Sequence, residues 1–79
     1  MSSQEFQDTG VVKTWNTEEG WGIVVPDHGD LTIWVHYKHI VAKPNAYRSL
    51  TPGQRVHCHY EIPGQDGYPA RAVEVTKLS

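Results

Sequence analysis

The sequence predicts an all-β domain, a small five-stranded antiparallel Greek-key barrel, and three observations carry that expectation. Strand-type alternation recurs five times at short spacing, with Gly, Pro, Asn and Asp between the runs. Helical periodicity is missing. The chain has 79 residues, enough for one domain with one modest core.

The elements follow in order. Val11-Val12-Lys13-Thr14-Trp15 is β-branched and alternating, with Gly10 at its entry. Asn16-Thr17-Glu18-Glu19-Gly20 is a polar stretch suited to a hairpin turn. Trp21 to Val25 reads as the second strand, ended by Pro26 and the turn residues Asp27-His28-Gly29-Asp30. Leu31 to Tyr37 reads as the third, with Ile33 and Val35 on one face and Trp34 and His36 on the other. Residues 41–53 carry Pro44, Asn45, Pro52 and Gly53 and read as an extended connection, after a short helical turn near Lys38 to Ile40. Gln54 to Ile62 alternates again, with Val56, Cys58, Tyr60 and Ile62 opposite Arg55, His57, His59 and Glu61. Pro63 to Gly67 forms a turn, and Pro69 to Thr76 the last strand. Residues 1–9 are expected to be a flexible N-terminal tail and residues 10–79 the folded domain.

Composition removes several classes. A hydrophobic fraction of 38%, with three Trp, four Tyr and one Phe, is too rich for a disordered chain. No apolar run approaches the roughly 20 residues that span a bilayer, so no membrane partner is expected. The start, MSSQEFQDTG, has neither the basic stretch nor the apolar run of a secretory signal. Cys58 is the single cysteine, which precludes an internal disulfide and fits a reducing, cytoplasmic location. The net charge of −2, from 7 Lys plus Arg against 9 Asp plus Glu, argues against gripping duplex DNA mainly through phosphates. It leaves room for a binder that works by stacking.

The tryptophans are the informative oddity. Ile33 and Val35 supply a core face on the third strand, so Trp34 and His36 point outward. On the second strand Val24 and Gly22 take the inward parity, which leaves Trp21 and Ile23 outside. On the first, Val12 goes inward, and Lys13 and Trp15 outward. Contiguous exposed apolar surface is unusual on soluble monomers. Gly20 and Gly22 leave flat ground where a planar ring can lie against the backbone. Rings with a nearby cation suit unpaired bases, whose faces are free. A parity shift of one residue would turn the same rings inward instead.

Several motifs resemble the cold-shock domain family. Gly10-Val11-Val12-Lys13-Thr14-Trp15-Asn16 resembles its first strand, where Lys-Trp-Phe-Asn is usual. Glu19-Gly20-Trp21-Gly22-Ile23-Val24 is similar to its first ribonucleoprotein motif, and Ile33-Trp34-Val35-His36-Tyr37, continuing to Ile40, to its second. Tyr47 to Leu50 with Gly53 to Val56 resembles its connection and fourth strand, and Pro69 to Val75 its ending. The resemblance spans residues 10–78 and implies an OB-fold barrel that binds single-stranded RNA or DNA with little sequence preference. It further implies an RNA chaperone or regulator of gene expression in a cold-shock or stress response. Carried over by position, the binding face is Lys13, Trp15, Trp21, Ile23, Trp34, His36 and Tyr37, joined by Tyr47 from the connection.

The chain departs from the family at three places on that face. Thr14 stands where a stacking Trp is usual, with Trp15 next door as a possible substitute. Glu19 replaces a Lys that faces phosphate, and Ile23 replaces a stacking Phe. Affinity is therefore expected to come more from stacking than from phosphate neutralisation. The five histidines read first as surface polar residues; a sharper reading has protonated His36 and His39 adding cationic contacts in mild acid.

Other classes fit less well. In His57-Cys58-His59, strand alternation separates the thiol from the imidazoles, and no further zinc ligands follow by spacing. Cys58 reads as a small buried hydrophobe. No phosphate loop or nucleophile–base pair marks an enzyme. The expected molecule is a monomer without metal, cofactor or catalytic site. The rival reading is a cold-shock-like protein-interaction module, with the aromatic face turned to an apolar partner.

Overall fold

In a computed structural model that describes residues 4–42, 48–64 and 67–78, the longest strand holds the sheet together. β1 (Gln4–Asn16) is followed by β2 (Trp21–Pro26), β3 (Ile33–His36), β4 (Arg55–Ile62) and β5 (Ala70–Lys77), with one 3₁₀ turn at Tyr37–His39. Its first half pairs with β4, from Gln4 opposite Ile62 to Val11 opposite Arg55. Its second half pairs with β2, from Gly10 opposite Pro26 to Asn16 opposite Trp21. One strand thus serves two neighbours, and the sheet closes in the order β1-β2-β3-β5-β4. This is the five-stranded barrel the sequence predicts.

Two expectations need correction. Residues 4–9 of the expected tail are strand, paired along β4. Their polar side chains are mostly exposed, so backbone pairing, which leaves no apolar alternation, holds this stretch in place. Phe6 adds a side-chain contact, stacked on Tyr60 with centroids 5.7 Å apart. The barrel is also not antiparallel throughout. β3 and β5 run parallel, with Ile33 beside Ala70 and Trp34 beside Arg71.

The interior follows the alternation. Val12, Val24, Ile33, Val35, Val56, Cys58, Ala70, Ala72 and Val75 are all 1% exposed or less. Burial of each Val or Ile side chain contributes about 1.5–3 kcal/mol. Cys58 lies inside with its thiol pushed up to about 12 by burial, while His57 and His59 sit on the opposite face.

Two bulges let so few strands close. On β1, Val12 opposes Val24 and Thr14 opposes Ile23, so Lys13 is an extra residue. On β5, His59 opposes Glu74 and Tyr60 opposes Ala72, which makes Val73 the extra one. Each adds local twist and bend, which a narrow barrel requires. Each also changes the side-chain parity beyond it.

At the end of β2 a polar clamp ties three elements. Asp27 accepts from both guanidinium nitrogens of Arg55, at 2.9 and 2.8 Å, and from Thr9 Oγ1 at 2.6 Å. These bonds lower its carboxyl from 3.8 to about 2. A depressed carboxyl stabilises the fold above its unfolded value and loses that contribution as pH falls through its folded one. The melting temperature is therefore expected to drop between about pH 4 and pH 2. Asp27→Asn should start lower at pH 7 and show a shallower drop across that window; thermal melts over a pH series check both.

Candidate functional site

The outward faces of β2 and β3 carry a row of rings. In register, Trp21 lies opposite His36 and Ile23 opposite Trp34. Trp34 stacks on His36 with centroids 5.7 Å apart and planes at 29°. Tyr37 follows, 4.4 Å from His36, and is 39% exposed. Tyr68, in the turn before β5, stands 6.3 Å from Trp21 at a tilt of 56°. The row therefore runs from Tyr68 through Trp21 and His36 to Trp34, with Trp21, Trp34 and His36 each half-buried. A shallow cleft of about 250 Å³ opens between Trp34, His36, Lys38 and His39.

One expected member, Trp15, leaves the row, and a second, Ile23, is covered within it. Beyond the Lys13 bulge, Thr14 takes the outward position opposite Ile23, and Trp15 falls opposite buried Gly22. Trp15 packs on the core and leaves the ring row. It stays half-buried there, on the face opposite to Thr14. Ile23 keeps its outward parity but is only 8% exposed, so it offers a ligand little surface. Lys13, the bulge residue itself, is exposed as expected. Tyr47 lies outside the described residues.

The flat ground beside the glycines is already occupied. A Cβ on Gly22 would stand 2.7 Å from Trp15 Cε3, and one on Gly20 would stand 2.7 Å from Tyr37 Cδ1. Gly20 also has φ +73, a conformation that other residues adopt at a cost. The glycines seat the protein's own rings, which braces the hairpin against the 3₁₀ turn. The Tyr37 backbone N–H completes that brace by donating to the Gly20 carbonyl at 2.8 Å.

Hydrogen bonds orient the polar members. The backbone N–H of His36 donates to His39 Nδ1, and that of Lys38 to His36 Nδ1, both at 3.3 Å. Both imidazoles therefore accept at Nδ1, which in the neutral ring leaves the proton on Nε2. Burial holds His39 below its ordinary pKa; His36, Arg71 and Lys38 push the same way, and Glu61 opposes them. Burial at His39 therefore works against the protonation that the acid-strengthening reading invokes. Arg71, beside Trp34 in register, is bound to Glu61 through Nε at 2.6 Å and through a second guanidinium nitrogen. On the hairpin, Glu19 accepts from the Trp21 indole N–H at 3.3 Å.

Sequence reasoning missed Tyr68, Lys38 and Arg71. Tyr68 could have been suspected as an aromatic inside a turn-rich stretch. Arg71 had no signal, because the β3–β5 pairing that brings it to Trp34 is invisible in local pattern.

Comparisons with known proteins bear on the family and the fold. The family model described as "'Cold-shock' DNA-binding domain" matches residues 8–77. The cold shock-like protein CspG of Escherichia coli strain K12 is 40% identical over 68 residues, covering 86% of this chain and 91% of that protein. Cold shock protein 1 of Arabidopsis thaliana is 39% identical over 70 residues, covering 89% of this chain and 22% of that much longer protein. Among solved structures, apo-CusF residues 6–88 from Escherichia coli aligns with a TM-score of 0.57 at 17% identity, over 99% of this chain and 92% of that one. At that identity the likeness concerns the barrel fold alone.

Two expectations follow. The Trp15 Nε1–H is buried without a partner among the described residues, and such a donor costs about 1–3 kcal/mol. Trp15→Phe keeps a ring on Gly22 and removes the donor, so it should melt at or above the wild-type temperature. A fall of several degrees in a thermal melt would contradict this. The second concerns the histidines. Asp8 raises His28 above the ordinary imidazole value of 6.5, whereas burial lowers His39 below it. His28 therefore favours the fold at low pH and loses that contribution as pH rises through its folded value. His39 favours the fold above 6.5 and loses its contribution as pH falls through its own. An NMR titration should place the His28 midpoint above the His39 midpoint, and Asp8→Asn should lower the first alone.

Proposed function

This chain belongs to the cold-shock DNA-binding domain family, and from that premise we propose that it binds single-stranded RNA or DNA by stacking unpaired bases on the β2–β3 ring row. The observation that carries the reading is the outward-facing, half-buried succession of Trp21, His36 and Trp34 across two paired strands. The site residues are Trp21, Trp34, His36 and Tyr37, with Lys13 and Lys38 at the margin and Tyr47 from the connection. The function is binding without catalysis. It serves an RNA-chaperone or gene-regulatory role under cold or stress, exercised by a monomer in the cytoplasm.

Electrostatics play a small part in this reading. Among the described residues the face offers Lys13 and Lys38 to phosphate, while Arg71 is engaged by Glu61 and Glu19 stands beside Trp21. Each neutralised phosphate on a single strand adds about −0.7 to the slope of log affinity against log salt. Two lysines therefore predict a slope near −1.4.

Fluorescence titration with a short oligothymidine tests both points. Binding should quench tryptophan emission, and Trp34→Ala should weaken affinity about fivefold to a hundredfold, from roughly 1–3 kcal/mol per stacked base. Unchanged affinity in Trp34→Ala, or a slope several-fold steeper, would contradict the stacking mechanism. No quenching by any oligonucleotide would favour the protein-interaction reading.

A further inference from the structure

We infer that Glu19 selects the base held at Trp21, favouring bases with an exocyclic amine over thymine and uracil. The inference rests on the stacking function proposed above and deepens it. Its starting point is how the carboxylate is held. Glu19 Oε1 accepts from Asn16 Nδ2 at 3.0 Å and from the Trp21 indole N–H at 3.3 Å. The Glu19 backbone N–H donates in turn to Asn16 Oδ1 at 3.0 Å. The Asn16–Glu19 turn is thereby closed by two reciprocal bonds, and the carboxylate is pinned to the indole edge.

An indole N–H lies in the plane of its ring, so its acceptor sits at the rim and leaves the stacking face uncovered. A carboxylate oxygen has two lone pairs. Both lone pairs of Oε1 are engaged, whereas Oε2 has no hydrogen-bond partner among the described residues. In the inferred complex, a base stacked on Trp21 lies over the indole and turns an edge toward the Glu19 carboxylate.

Oε2 can only accept. Adenine N6, cytosine N4 and guanine N2 each present amine hydrogens on the base edge. Thymine and uracil present keto oxygens on both sides of a single imino N–H, and those oxygens repel a carboxylate. A lysine at this position, usual in the family, would reverse the preference and hold phosphate as well. Glu19 therefore exchanges general affinity for discrimination at one stacking position.

The test compares oligodeoxycytidine with oligodeoxythymidine of equal length on the intact chain at pH 8, by fluorescence and by anisotropy. The two probes have the same phosphate count and single-ring bases, so charge and stacking area nearly cancel. Wild type should bind the cytidine oligomer about threefold to tenfold more tightly, the range of one ordinary net hydrogen bond, because solvent at this exposed edge screens the charge. Glu19→Gln should bring the ratio close to one, because an amide both donates and accepts. Glu19→Lys should favour thymidine. A wild-type preference for thymidine, or an equal ratio in wild type and Glu19→Gln, would overturn the inference and leave the stacking function standing. Glu19 would then only position Trp21, and its loss would weaken both probes alike. Failure of both probes to bind would overturn the stacking function and this inference together.

Discussion

The arrangement of the ring face depends on one extra residue in β1. Lys13 opposes nothing on β2, so parity reverses between Val12 and Thr14. Before the bulge, Val12 enters the core. After it, Trp15 turns in over Gly22 and Thr14 turns out. A strand without the bulge would present Trp15 beside Trp21 and Trp34, and the barrel would lose the ring that covers one end of its core. The bend that closes the barrel and the choice of exposed tryptophans are thus a single structural event.

Around that event, polar contacts hold the remaining rings. The Tyr37 backbone ties the 3₁₀ turn to Gly20, and the backbone N–H groups of His36 and Lys38 hold the rings of His39 and His36. Glu19 fixes the edge of Trp21, and Arg71 is kept by Glu61 next to Trp34. A ring held in place before a ligand arrives loses less rotamer freedom on binding, which conserves affinity in a site short of cations. The face is therefore preorganised by neutral and self-compensating contacts.

Most of the fold was legible because its signals are local. Alternation located β2, β4 and β5 to within a residue or two, and the Pro and Gly positions marked their ends. The inward set of Val24, Ile33, Val35, Val56 and Cys58 followed from period alone. What escaped has a common physical origin in pairing between distant strands. Gln4–Thr9 is held by backbone bonds to β4 and leaves almost no hydrophobic pattern. The Lys13 bulge arises because β1 must serve two partners, and a single strand read in isolation continues its alternation to Trp15. Exposure of Ile23 was misjudged for a related reason: parity tells which face a side chain takes and not how much its neighbours cover it. Tyr68 and Arg71 reach the site only through the parallel β3–β5 pair and the turn that precedes it.

The strand order has a further consequence for how the protein is made. β5 lies between β3 and β4, so the sheet cannot close until residues 70–77 have joined it. On the ribosome, the first four strands emerge with two open edges and with the inner faces of Val35 and Val56 lacking their cover. Open edges of this kind pair readily with other chains. A transcript cut short before Ala70 would therefore yield an adhesive fragment in place of a weakened domain. Synthesis at about 5–20 residues per second makes the interval before closure a matter of seconds at most, and slower translation in the cold lengthens it.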